Sequence, residues 1–86
     1  MADRCTLHRN RIEAFATWAE REGWRRVPTK GAYEMLRLVH ADFTHPFIAY
    51  DRGSPEHVSV PLTPTGSRRN QLMVLRFIRE RRKEGR

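Results

Sequence analysis

All five prolines of this chain fall between Pro28 and Pro64, and Gly23, Gly31, Gly53 and Gly66 bound or interrupt the same stretch. Proline lacks a backbone donor, and glycine enters left-handed backbone without steric cost. A segment punctuated this often holds short extended pieces joined by turns. Helices are left to the two ends, so the order read from the chain is α-β-β-β-α.

The ends carry the matching periodicity. Asn10-Arg11-Ile12-Glu13 has the spacing of a capping residue with Glu three positions on, which predicts a helix over Asn10–Glu22; Thr6 offers an alternative cap one turn earlier. Ile12, Phe15, Ala16 and Ala19 recur at i, i+3, i+4, i+7 and make one apolar stripe, with Trp18 beside it and partly exposed. Gly23 ends this helix, and Trp24 follows where a hydrophobic residue folds back on the last turn. Residues 1–9 read as a flexible arm. Gly66-Ser67 opens a second helix to Arg82, with Gln71, Val74, Leu75 and Ile78 on one face, Leu72 and Phe77 flanking, and Arg69, Arg76, Arg79 and Lys83 opposite. Residues 84–86 form a tail.

Between the helices, Tyr33–His40 alternates Leu36 and Leu38 against Met35, Arg37 and Val39. Phe47–Arg52 is a second strand. Arg52-Gly53-Ser54-Pro55 is turn chemistry that makes it a hairpin with His57–Val60, whose extension Pro61 and Pro64 forbid. The expected fold is a single α+β domain over residues 10–83: a three-stranded antiparallel sheet with both helices on one face. Its core is expected to be Phe15, Leu36, Leu38, Val58, Leu75 and Ile78.

Eighty-six residues suffice for one domain with a thin core. Hydrophobic residues at 38% and charged residues at 31% exclude a disordered chain, and no apolar run reaches the length of a membrane span. With no signal-peptide core after Met1 and a lone Cys5, the expectation is a cytoplasmic protein of a bacterial or phage-infected cell, with no membrane association. Four scattered histidines and no cysteine pair predict neither a metal site nor a cofactor. His45 and His57 become neighbours if the second and third strands pair, a weak acid–base arrangement.

Charge is the strongest functional signal. The net charge is +7, and Gly66–Arg86 alone holds eight basic and two acidic residues. One-sided charge of this kind points to a polyanionic partner. Fifteen of the seventeen basic residues are Arg, which grips phosphate and carboxylate bidentately. Gly66-Ser67-Arg68-Arg69 sets two guanidiniums at a helix start, where unpaired N–H groups favour a phosphate. The candidate binding residues are therefore Lys30, Arg68, Arg69, Arg76, Arg79 and Lys83, with Arg25 and Arg26 near Lys30. The expected partner is nucleic acid or an acidic protein surface. No nucleophile elbow or phosphate-binding glycine loop is present, and no catalytic residue is assigned.

The α-β-β-β-α order resembles the double-stranded-RNA-binding fold. Glu22-Gly23-Trp24, Lys30-Gly31 and His57-Val58-Ser59-Val60-Pro61 are also similar to the Gly-Trp helix end, the Lys-Gly turn and the third strand of HicA-type toxins, ribonucleases on that fold. The resemblance spans about half the chain and implies phosphate contacts from the start of the second helix. It also implies a catalytic histidine shortly after the Lys-Gly turn, where this chain has Ala32-Tyr33. A phenol does not exchange protons near neutrality as an imidazole does, so the expectation is binding without ribonuclease activity. In size and composition the chain also resembles small phage and mobile-element proteins of the anti-CRISPR type, whose partner is a Cas protein.

Overall fold

The structure, a computed structural model, describes residues 4–61 and 67–84. It is α+β with two helices and one five-stranded antiparallel sheet. The strands are β1 (Arg4–His8), β2 (Arg25–Arg26), β3 (Glu34–Val39), β4 (Phe47–Tyr50) and β5 (His57–Pro61). The helices are α1 (Ile12–Arg21), entered through a 3-10 turn at Arg9–Arg11, and α2 (Ser67–Glu84). The sheet order is β1-β5-β4-β3-β2. The expected α-β-β-β-α order survives as α1-β3-β4-β5-α2, with one strand added at each edge.

The first addition corrects the reading of residues 4–9 as part of an arm; residues 1–3 lie outside the described residues. Arg4–His8 pairs with all of β5, Leu7 facing Val58 and His8 facing His57. Arg9 continues the contact by donating its N–H to the Glu56 carbonyl at 2.7 Å. Leu7 is buried at the end of the core. A single leucine among polar residues shows no period, so this strand exists because β5 offers an edge. The second addition, β2, pairs Arg25 with Val39 and Arg26 with Leu38. The three-stranded sheet is therefore corrected to five.

The end of α1 follows the sequence closely. Trp24 N–H reaches the Ala19 carbonyl and Gly23 N–H the Glu20 carbonyl, the paired bonds of a Schellman cap. Gly23 has φ +100°, and a Cβ there would stand 2.8 Å from His40 Nε2. The start of α1 differs. No side chain caps it, the helix begins at Ile12 and not Asn10, and Glu13 instead pairs with Arg26 across to β2. The β4–β5 turn is as expected: Asp51 accepts from Gly53 N–H, and Ser54 Oγ from His57 N–H.

The core fills one face of the sheet with Leu36, Leu38, Phe47, Ala49, Val58 and Val60. Phe15 is its hub, with ring centroids 5.0 Å from Phe47, 5.3 Å from Phe77 and 5.6 Å from Trp18. Trp18 is buried, not partly exposed, and donates its indole N–H to Glu80. Both helices thus meet over the same face, α1 beside β2 and β3, α2 beside β1 and β5.

This packing also rotates α2 from the expected setting. Its buried residues are Asn70, Met73, Val74 and Phe77, while Leu72, Leu75 and Ile78 stand exposed. Two stripes one residue apart, hence about 100° apart, both had helical spacing. The aromatic cluster selects the one that buries Phe77, the largest side chain available.

Candidate polyanion-binding surface

The arginines of α2 divide into those the fold uses and those it leaves outward. Arg69 belongs to the first group. Its guanidinium lies 5.1 Å from the Trp24 ring and 5.3 Å from the Phe43 ring, which stack on each other. It donates to the carbonyls of His45 and Pro46 at 2.7 and 3.2 Å and to Asn70 Oδ1 at 2.7 Å. Burial pushes this guanidinium below its ordinary pKa. Arg69 fastens the start of α2 to the β3–β4 connection and to the end of α1. Four of its five N–H donors are spent on that task, so the structure places Arg69 within the fold and not on the outward face of α2.

Arg76 is likewise engaged. It pairs with Glu22 at 2.7 Å and Glu80 at 3.5 Å and lies over the Trp18 ring. Lys30 is exposed in the β2–β3 connection, at the sheet edge away from β1 and β5, where α2 packs. Its backbone N–H donates to Glu34, which Arg37 also grips in a two-bond contact. Arg37 first, then the Lys30 N–H, bring the Glu34 carboxyl down to about 2. Neither Lys30 nor the Arg26 pair with Glu13 and Glu20 adds to a surface on α2. The side chain of Lys83 lies outside the described residues.

Arg68 and Arg79 remain, and the structure adds Arg82. With Leu72 and Leu75 they follow at i, i+4, i+7, i+11, i+14, an outward stripe opposite the buried one. All five residues are exposed, and the three arginines form no ion pair among the described residues. Ile78 borders the stripe, 38% exposed. The sequence shows this stripe only after the rotation of α2 is known.

The C-terminal half of α2 also walls a cavity of about 430 Å³ where it meets the end of β1. Arg81 and Arg82 of α2, Arg11 of the 3-10 turn, His8 of β1 and His57 of β5 line it, over an apolar floor that includes Leu7 and Phe77. The two imidazoles are in edge contact, ring centroids 5.0 Å apart. His57 therefore neighbours His8 and not His45, whose carbonyl is held by Arg69. Among the described residues no carboxylate lines this cavity. Three other surface cavities each include at least one: Asp51 in the first, Glu13 and Glu80 in the second, Asp42 in the third.

Among the described residues no group of three or more His, Cys, Asp or Glu is placed to hold a metal ion, and no helix is long and apolar enough to cross a membrane. No protein-family model, curated protein or solved structure matches this chain.

Proposed function

We propose that this protein is a non-enzymatic binding module that contacts nucleic-acid backbone through the outward stripe of α2. The observation that carries this reading is the stripe itself: Arg68, Arg79 and Arg82 in line on one helix face, without ion-pair partners among the described residues. Arginines that the fold has not neutralised keep their full field and their forked donors for phosphates. The order α1-β3-β4-β5-α2 supports the same reading through its likeness to the double-stranded-RNA-binding arrangement, in which the second helix meets phosphates. The contact set differs from the one read in the sequence. Arg68 and Arg79 stay, Arg69 and Arg76 leave, and Arg82 enters.

The test is binding of labelled double-stranded RNA and DNA as salt is varied. Each phosphate neutralised releases counterion, so affinity falls steeply with salt. Charge reversal at Arg68 and Arg79 together removes two such contacts. It should weaken binding for every sequence and make the log–log salt slope shallower by about 2. Unchanged affinity and slope would refute the reading.

A second reading is favoured by one specific observation. Leu72, Leu75 and Ile78 are 51%, 46% and 38% exposed on the same side of α2 as the free arginines. An apolar centre ringed by arginines is the composition of a protein–protein contact. In this reading the chain is an inhibitor that seats α2 on an acidic surface of a Cas effector, as an anti-CRISPR protein does. It predicts that Leu75→Asn, which adds no charge, abolishes complex formation with that effector, whereas backbone binding to nucleic acid tolerates the change.

A further inference from the structure

We propose that the cavity between the end of β1 and the C-terminal half of α2 is a binding site for a phosphomonoester group. It goes beyond the stripe on α2, because backbone contact along a helix needs neither an enclosed space nor a chain end.

Three features carry the inference. The first is charge without compensation. Arg11, Arg81 and Arg82 converge from two elements on a space that no carboxylate of the described residues lines, although each of the other three cavities has at least one. None of the three forms an ion pair among the described residues, although Arg9, next but one to Arg11, is paired with Asp51. Like charges gathered in a concave site repel one another unless an anion joins them.

The second feature is donor number. Three guanidinium forks and two imidazoles exceed what the single charge and two free oxygens of a phosphodiester use. A phosphomonoester carries about −1.5 to −2 at neutral pH and presents three acceptor oxygens. The third is size. About 430 Å³ holds more than a phosphate and falls within the range of small-ligand sites. The apolar floor at Leu7 and Phe77 suits the group that bears the phosphate. The same chemistry is offered by a free mononucleotide and by the phosphorylated end of a nucleic-acid strand.

The experiment measures fluorescence anisotropy of a short single-stranded RNA with a 5′-phosphate, a 3′-phosphate or only hydroxyl ends. Calorimetry with a nucleoside monophosphate and with the parent nucleoside runs beside it. A phosphate-ended strand should bind about tenfold more tightly than its hydroxyl-ended counterpart, the scale of one charge-assisted contact set. That preference assigns a strand end. Binding of the monophosphate but not the nucleoside, at an affinity equal to the strand's, assigns a free nucleotide. Arg11→Gln should abolish either preference and His57→Gln should reduce it, with circular dichroism confirming the fold of each variant.

Arg68→Glu/Arg79→Glu, which lies outside the cavity, should lower affinity for all three strands equally and leave the phosphate preference intact. A failure of the stripe reading is thus visible apart from a failure of this one. Equal binding of phosphate- and hydroxyl-ended strands, together with no heat from the monophosphate, overturns the proposal. Cleavage of the RNA that depends on His8 and His57 overturns it too, since the cavity would then be a reaction centre for internal phosphodiesters.

Discussion

Arg69 at the start of α2 and the arginines toward its end use the same side chain in opposite ways, and Arg68, next to Arg69, faces outward with the second group. At the start, Arg69 is folded into the molecule between two aromatic rings and two backbone carbonyls. Toward the end, Arg79, Arg81 and Arg82 are exposed and unpaired among the described residues. The difference comes from what each end packs against. The start lies against the β3–β4 connection, whose carbonyls have no strand partner and need donors. The other end passes β1 and β5, whose backbone groups are already paired with each other. An arginine becomes structural where the neighbouring backbone is unsatisfied and stays available where it is not.

The largest expected effect sharpens the contrast between the two faces of the helix. Phe77 is almost wholly buried against Phe15 and Trp18. Phe77→Ala should cost about 3–5 kcal/mol in urea unfolding, enough to threaten a domain of this size. Next comes the clamp. Arg69→Ala leaves the His45 and Pro46 carbonyls short of donors, and should cost about 2 kcal/mol. Arg79→Ala should stay within about 0.5 kcal/mol of the parent. Equal losses at the two positions would break the comparison.

A smaller effect separates the β-sheet pairs from the helix. Glu34, held by Arg37 and by the Lys30 N–H, has its carboxyl brought down to about 2. Its contribution to stability is complete above the unfolded carboxylate value, about 4.3, and disappears as pH falls toward 2. Glu34→Gln should therefore flatten stability against pH in that window and lower it by a constant amount above pH 5. The smallest effect is Leu75→Ala, at a few tenths of a kcal/mol. The sequence reading placed Leu75 in the core, where the same change would cost about 2–5 kcal/mol, so one denaturation curve decides between the two helix rotations.

How much of this was legible in the sequence varies with the range of the interaction. The end of α1 is local chemistry: Gly23 and Trp24 close a cap with carbonyls a few residues back, and the spacing alone locates it. The β4–β5 turn is local in the same way. The candidate site was half legible. Charge pointed to α2 as the proposed binding element, but the choice among Arg68, Arg69, Arg76, Arg79 and Arg82 depended on which residues meet Glu22, His45 and Trp24, positions far away in sequence. His8 gave no signal, because it lay in a stretch without periodicity, and Arg11 read only as part of a helix start.

By itself the sequence determined the order of the two helices and the three central strands, the breaks between them and the excess of positive charge on the last helix. These follow from backbone sterics, turn chemistry and composition, which need no distant partner. Tertiary structure alone decided the strand at Arg4–His8, the rotation of α2 and the meeting of His8 with His57. Each depends on an edge or a cavity supplied by another part of the chain. A single leucine becomes a strand residue only when β5 offers it a place, and Phe77 outweighs Leu75 only when Phe15 and Trp18 are there to receive it.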